Sequence, residues 1–252
     1  MAQIDIEHAK KEFDKYLRDF DLGNPKILLK KVHTYGVVKA ADYICTREEL
    51  KPEDRDLALL IALLHDIGRF EQLKAYNSYD DNRFDHARFG VKLLFEEGKI
   101  KDFISCRDYD EVIRQAIALH SVYRLPEIQD PGVLLHCRII RDADKLDNFR
   151  VKSVDSLEAH FDLPKETIQK ETVSDNVLQA VRDHRCVRRE ERKTNLDMWI
   201  SYMAFIFDLN FPSSFCFIQE HDYINRCIDR MDYSEKNTKD SMEEVRRICL
   251  DY

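Results

Sequence analysis

The residues best suited to chemistry are a histidine and an aspartate side by side, His65 and Asp66, which follow an apolar stretch at residues 57–64. Polar groups at the end of a buried helix are costly unless they find hydrogen-bonding partners or a metal ion. Imidazole and carboxylate donors without thiolate suit iron, manganese, cobalt, nickel or zinc, with magnesium less suited, and argue against a structural zinc site. Similar donors elsewhere in the chain are His33, His86, His120 and Asp144.

Each of these four further residues lies on the apolar face of a predicted helix. The helices are predicted at residues 25–45, 86–98, 109–121 and from 131 onward. Asp144 continues an apolar stripe, which is unusual for an acidic residue without a partner. Asp142 and Asp147 compete for the same role, and the stripe position favours Asp144, with Asp147 supporting it one turn further along. Taken singly, a buried histidine is more often a hydrogen-bonded core residue than a ligand, so the whole set carries the metal prediction.

The two adjacent donors set a geometric condition, because neighbours on a helix differ by about 100° in direction. His65 and Asp66 can therefore share one ion only near a helix end, and we expect Gly68 to break the helix there. Residues 71–84 are polar and aromatic, which predicts a loop of about a dozen residues. Tyr76 and Tyr79 in this loop could stack on a base or close over the site.

Few turn-forming residues, 6 Gly and 6 Pro, leave little material for an all-β fold and favour an all-α one. We expect an N-terminal helix at residues 1–24, a helical domain at 25–150 and a helical extension at 151–252. The pattern of the extension stays helical, and we expect its helices to pack on the same core as the domain.

The composition excludes several function classes. With a formal net charge of −8 and no basic block, the chain is a poor candidate for binding a nucleic-acid polymer. We see no signal-peptide pattern and no apolar window long enough to span a bilayer, so no membrane association is expected. The 7 cysteines lack C-x-x-C spacing, which favours reduced thiols and a cytoplasmic protein. A homo-oligomer is left open.

The order of these residues resembles the HD-domain superfamily of metal-dependent phosphohydrolases, over roughly residues 25–150. That resemblance implies an HD-domain helical bundle, with the residues from 151 onward outside it. It rests on three segments: Val32-His33-Thr34, Leu64-His65-Asp66-Ile67-Gly68 and Ala143-Asp144-Lys145-Leu146. The doubled histidine of some two-metal members is missing, because Ser121 follows His120, and so is the Gly-Tyr-Pro signature of cyclic-di-GMP phosphodiesterases.

The resemblance implies one or two divalent ions. The first ion would be held by His33, His65, Asp66 and Asp144. The second would add His86 and His120, with Asp66 bridging both ions.

The resemblance also implies hydrolysis of a phosphate monoester or diester of a nucleotide or another small metabolite. Asp66 would accept a proton from water or bridge the ions, and Arg69 and Lys145 would contact phosphate, as Arg124 could. Arg69 could instead complement a helix dipole, and Lys145 could be a surface residue. Two rival functions remain open: a di-iron oxygenase on the same fold, and a nucleotide-binding regulator without catalysis.

Overall fold

The structure, a computed structural model, describes residues 4–79, 84–157 and 163–252. These residues contain helices and no strand, so the all-α prediction is confirmed. The chain divides into two compact units, residues 1–144 and 145–252. The predicted domain bounds, and the prediction that the C-terminal helices share one core with the domain, stay predictions. No helix in the described part of the chain combines the length and apolar character needed to cross a membrane.

The first unit is built from helices whose starts follow local sequence signals. Asn24 caps the second helix with a side-chain oxygen 2.9 Å from the Lys26 amide, and Pro25 takes the first helical position. Asp85 and Asp130 cap later helices in the same way. The helices are α1 (Ile6–Tyr16), α2 (Pro25–Arg47), α3 (Pro52–Leu64), α4 (Ile67–Tyr76), α5 (His86–Val91), α6 (Ile100–Phe103), α7 (Asp110–Leu119) and α8 (Pro131–Val154), which continues into the second unit.

Helix α3 forms the centre of the first unit. Every residue from Leu57 to Leu64 is buried, because α2 packs along α3 and α1 and α7 also contact it. Helix α1 contributes Phe13 and Tyr16, which pack edge-on against Phe70 of α4. The Tyr16 hydroxyl also donates to the Ile67 carbonyl oxygen at 3.2 Å. Helix α1 therefore fixes the start of α4, directly after His65 and Asp66.

The helix break lies at Asp66, not at Gly68 as predicted. Asp66 has φ −105° and ψ 17°, and α4 begins at the next residue. Gly68 lies inside α4 and is required for a different reason. A Cβ atom on Gly68 would lie 2.3 Å from the His86 carbonyl oxygen and 2.6 Å from the Gly90 amide nitrogen. This glycine thus allows the backbones of α4 and α5 to come into contact.

The loop predicted at residues 71–84 is wrong in its first half. Helix α4 continues through Tyr76, because Phe70 and Leu73 at helical spacing are buried in the first unit. Asn77 ends the helix with a left-handed φ of 48°. Residues 80–83 of the predicted loop lie outside the described residues.

In the second unit, one buried aspartate holds two segments of backbone together. Asp197 is fully buried and accepts from the Ser174 amide and hydroxyl and from the Lys193 and Thr194 amides, at 2.6–3.2 Å. The helices of this unit are α9 (Lys165–Ile168), α10 (Asp175–Arg182), α11 (Asn195–Met203), α12 (Pro212–Glu220), α13 (Tyr223–Ile228) and α14 (Lys236–Asp251).

We expect Gly68→Ala to destabilise the protein by about 1–3 kcal/mol, because backbone atoms cannot move away as a flexible side chain can. Urea unfolding measures the change. Gly132→Ala is the matched control, since its added Cβ meets only the Asp130 side chain, at 3.2 Å. Equal stability of the two variants would contradict the close approach of α4 and α5.

We expect Asp197→Ala to cost about 2–4 kcal/mol, because it leaves several buried donors without an acceptor. Thermal unfolding measures this loss. Asp183→Ala, in the same unit, removes a half-exposed ion pair with Arg185 and an exposed hydrogen bond from Gln179, and should cost less than about 1 kcal/mol. The interpretation fails if the first substitution is as mild as the second.

Candidate metal centre

The structure brings all six predicted ligands together within the first unit. His33 comes from α2, His65 and Asp66 from the junction of α3 and α4, and His86 is the first residue of α5. His120 directly follows α7, and Asp144 lies in α8. Five of the six are at most 4% exposed, and the sixth, Asp144, is part-exposed: His33, His65, Asp66, His86, His120 and Asp144.

One set of donors surrounds the Oδ2 atom of Asp66. His65 Nε2 lies 3.5 Å and His33 Nε2 3.9 Å from this oxygen. His33 Nε2 also lies 3.0 Å from Asp144 Oδ1. These four residues are the ones that the resemblance assigned to the first ion, and we call them the first donor set.

A second set of donors surrounds the other oxygen of the same carboxylate. Asp66 Oδ1 lies 3.3 Å from His86 Nε2 and 3.7 Å from His120 Nε2. The two histidine nitrogens are 3.1 Å apart. Asp66, His86 and His120 form the second donor set, so the two oxygens of Asp66 face different groups of histidines.

Backbone carbonyls orient two of the rings. His65 Nδ1 lies 2.8 Å from the Ala62 oxygen, and His120 Nδ1 lies 2.7 Å from the Ile117 oxygen. A carbonyl only accepts, so Nδ1 carries the proton in both rings and Nε2 can offer its lone pair to the centre. His65 Nε2 is buried and makes no hydrogen bond to any described residue.

The donor atoms fit a divalent ion. Ligand atoms about 2.1 Å from an ion lie roughly 3.0–3.4 Å apart, depending on the coordination geometry. Several separations in both donor sets lie close to this range, and three overlapping groups have all their ligand atoms within 4.8 Å of one another. The donor chemistry matches the transition metals predicted from the sequence.

Burial and charge keep the donors in their ligating forms. Burial lowers the pKa of His65 to about 4, so its ring is neutral at pH 7. Burial alone would raise the pKa of Asp66, but Lys30 and the neighbouring histidines hold it well below its ordinary value. For Asp144, the hydrogen bond from His33 outweighs burial in the same way and lowers the pKa.

Lys30 is a residue of this centre that the sequence reasoning missed. Its ammonium lies 2.6 Å from Asp66 Oδ2 and 5.8 Å from the ring centre of Tyr79. Lys30 lies one turn before His33 on α2, and this spacing was the only available signal. It places a positive charge on the carboxylate that both donor sets share.

Arg141 was also missed, and it acts on the backbone beside His120. Its guanidinium donates to the carbonyl oxygens of Leu119 and His120, both at 3.3 Å, and to that of Val122. Arg141 is 3% exposed. It therefore fixes the chain at the end of α7, where His120 leaves the helix.

The predicted phosphate contacts have different surroundings. Arg69 is buried beside the second donor set, with Nη2 3.0 Å from His86 Nε2. Lys145 pairs with Asp208 at 2.9 Å within the second unit, and Arg124 is exposed. Of the predicted aromatic contacts, Tyr76 is exposed, and the Tyr79 hydroxyl donates to the Lys26 carbonyl. Their roles toward a substrate stay predictions.

Asp142 and Asp147, which competed with Asp144 for the role of acidic ligand, have other surroundings. Asp142 is fully buried. Asp147 pairs with Arg150 at 2.6 Å in the second unit. In the described residues, the groups of metal-type donors include Asp144 but neither of these two.

Comparison with known proteins adds one finding. The family model described as HD domain matches residues 32–149, a range that includes all six residues of the two donor sets. Neither the curated proteins nor the solved structures contain a match to this chain.

We expect Asp66→Ala to abolish metal binding, because this carboxylate belongs to both donor sets, and His33→Ala to weaken it more than about 100-fold. Elemental analysis of the purified proteins and calorimetric titration with Mn²⁺ measure the effect. His221→Ala is the control, because its ring Nδ1 lies 2.9 Å from the Phe217 carbonyl oxygen and the residue belongs to neither donor set. Unchanged metal content in Asp66→Ala would contradict the assignment.

Proposed function

Because the chain contains an HD domain at residues 32–149, we propose that it is a metal-dependent phosphohydrolase acting on a small phosphate monoester or diester, with nucleotides among the candidates. HD domains bind divalent metals and are generally hydrolases. The observation that carries the proposal is the buried carboxylate of Asp66, whose two oxygens face two sets of imidazole donors.

The residues that would hold the first ion are His33, His65, Asp66 and Asp144. When bound, a divalent ion supplies Lewis acidity, which activates water and neutralises charge on phosphoryl oxygens. The chain itself supplies the remaining functions of the centre. Its donors are buried and oriented before any ligand arrives, so little reorganisation accompanies binding.

Asp66 acts in this proposal mainly through its charge and position. Both of its oxygens are already in contact with donors or cations, and its pKa is held low. A carboxylate with a strongly lowered pKa is a weak base, so a bridging or orienting role suits it better than proton storage. Arg69 and Lys145 remain the proposed contacts for substrate phosphate.

The substrate class follows from charge and size. A chain with a net charge of −8 does not favour a nucleic-acid polymer, whereas a few buried cations can hold one phosphoryl group. Arg69 is such a cation and Lys30 is a part-buried one, and both lie against Asp66 or its neighbours. We therefore propose a small phosphorylated metabolite and no membrane or nucleic-acid partner.

We expect the purified protein to hydrolyse at least one compound in a panel of phosphate monoesters and diesters, assayed with Mn²⁺, Co²⁺, Ni²⁺, Zn²⁺, Fe²⁺ and Mg²⁺. A chelator should abolish the activity, and His65→Ala should reduce it at least about 100-fold, because the donors act as one set. Phosphate release measures the rate, and His221→Ala is again the control.

The two rival functions give different results in the same experiment. Oxygen uptake that depends on an added substrate, with two iron ions in the protein, would replace the proposal by an oxygenase. Tight nucleotide binding without turnover, under every metal tested, would replace it by a regulator.

A further inference from the structure

Arg69 has a buried and fixed position beside the second donor set. It lies one turn after Asp66 on α4, so its side chain returns to the face of the helix that carries this carboxylate. Its Nη1 donates to Gln72 Oε1 at 2.5 Å and to the Tyr79 carbonyl at 3.4 Å. Arg69 is only 8% exposed. The guanidinium is thus anchored on one side and directed toward the centre on the other.

The contact with His86 uses the only lone pair that this ring nitrogen has. Arg69 Nη2 lies 3.0 Å from His86 Nε2. A guanidinium has donors and no acceptor, so Nη2 must donate and the imidazole nitrogen must accept. An imidazole nitrogen that accepts this hydrogen bond has no second lone pair for a metal ion. The second donor set therefore lacks one of its three donors while Arg69 is in place.

The charge of Arg69 acts in the same direction, although it does not by itself distinguish the two sets, because Lys30 places a similar charge at the first one. Its Nε lies 3.8 Å from Asp66 Oδ1, the carboxylate oxygen that faces the second donor set. A divalent ion held there by Asp66 and His120 would lie close to this fixed positive charge. Repulsion between buried charges is only weakly screened by salt.

The first donor set is limited less. His33 Nε2 lies 3.0 Å from Asp144 Oδ1, but both groups are donors of this set, and an imidazole can lose its proton to an ion whereas a guanidinium keeps its protons. Lys30 donates to Asp66 Oδ2 at 2.6 Å. A carboxylate oxygen has two lone pairs, so it can accept this hydrogen bond and still ligate an ion. His65 Nε2 in the same set makes no hydrogen bond to any described residue. The two sets thus differ in the lone pairs that remain for a metal.

We propose that the Arg69 guanidinium takes the place of a second metal ion, so that this centre holds one ion, at the first donor set. The proposal rests on the proposed function and goes beyond it, since it assigns the number of ions and a reason for it. Arg69 then supplies, as a permanent charge, the neutralisation of a substrate oxygen that a second ion would otherwise provide. The contact between Gly68 and α5 keeps Arg69 and His86 within reach of each other.

The test is the number of Mn²⁺ ions bound per chain, measured by equilibrium dialysis with elemental analysis and by electron paramagnetic resonance. We expect one ion in the wild type, two in Arg69→Gln, and one in Arg69→Lys, which keeps the charge. The double variant Arg69→Gln with His86→Ala should return to one ion, because it lacks a donor of the second set. Coupled resonance from two neighbouring Mn²⁺ ions should appear in Arg69→Gln and be absent from the wild type, Arg69→Lys and the double variant.

Two further variants test whether the effect is specific to Arg69. Arg88→Gln removes the same charge from an 86% exposed side chain on α5 and should still bind one ion. Gln72→Leu removes an anchor of Arg69 without touching a donor, and should increase the affinity for a second ion less than Arg69→Gln does. It also replaces Arg69→Gln as the decisive variant if thermal unfolding shows that the latter does not fold.

The outcomes separate this inference from the proposed function. Two ions in the wild type, or one ion in both folded Arg69→Gln and Gln72→Leu at saturating Mn²⁺, overturn the role of Arg69 and leave the phosphohydrolase proposal standing. No bound ion in any protein overturns both.

Discussion

The constraint on which the centre depends is the burial of one negative charge, the carboxylate of Asp66. A carboxylate removed from water is stable as an ion only where cations and hydrogen-bond donors surround it closely. Here α2 supplies Lys30 and His33, α4 supplies Arg69, and the start of α5 supplies His86. The packing of α4 against α2 and α5 is what brings each group within about 4 Å of the carboxylate.

Much of the fold could be predicted from local signals. The capping residues and prolines marked the starts of α2, α3, α5 and α8, and apolar periodicity marked their buried faces. The length of α4 and the role of Gly68 could not be predicted in this way. The first depends on the burial of Phe70 and Leu73, and the second on the contact between Gly68 and Gly90, which only the packed structure reveals.

The six donor residues could be predicted from the sequence as one group, whereas two of the cations near them could not. Histidines and an aspartate on apolar faces are conspicuous in a sequence, because buried polar residues there need a reason. Lysine and arginine are common on helix surfaces, so apart from the spacing of Lys30 one turn before His33, nothing local distinguished Lys30 or Arg141 from solvent-exposed residues. The position of Arg69 against His86 depends on how α4 packs against α5, and the spacing of residues in the sequence does not predict this packing.

The pairing of Lys30 with Asp66 has a consequence for the order of assembly. In a zinc finger the ion is the nucleus of the structure, and the chain without it is unfolded. Here a helix side chain already balances the buried acidic group that both donor sets share, and a large apolar interior surrounds α3. The polypeptide can therefore reach its native form without a metal ion, so that the supply of metal would leave the amount of folded protein unchanged.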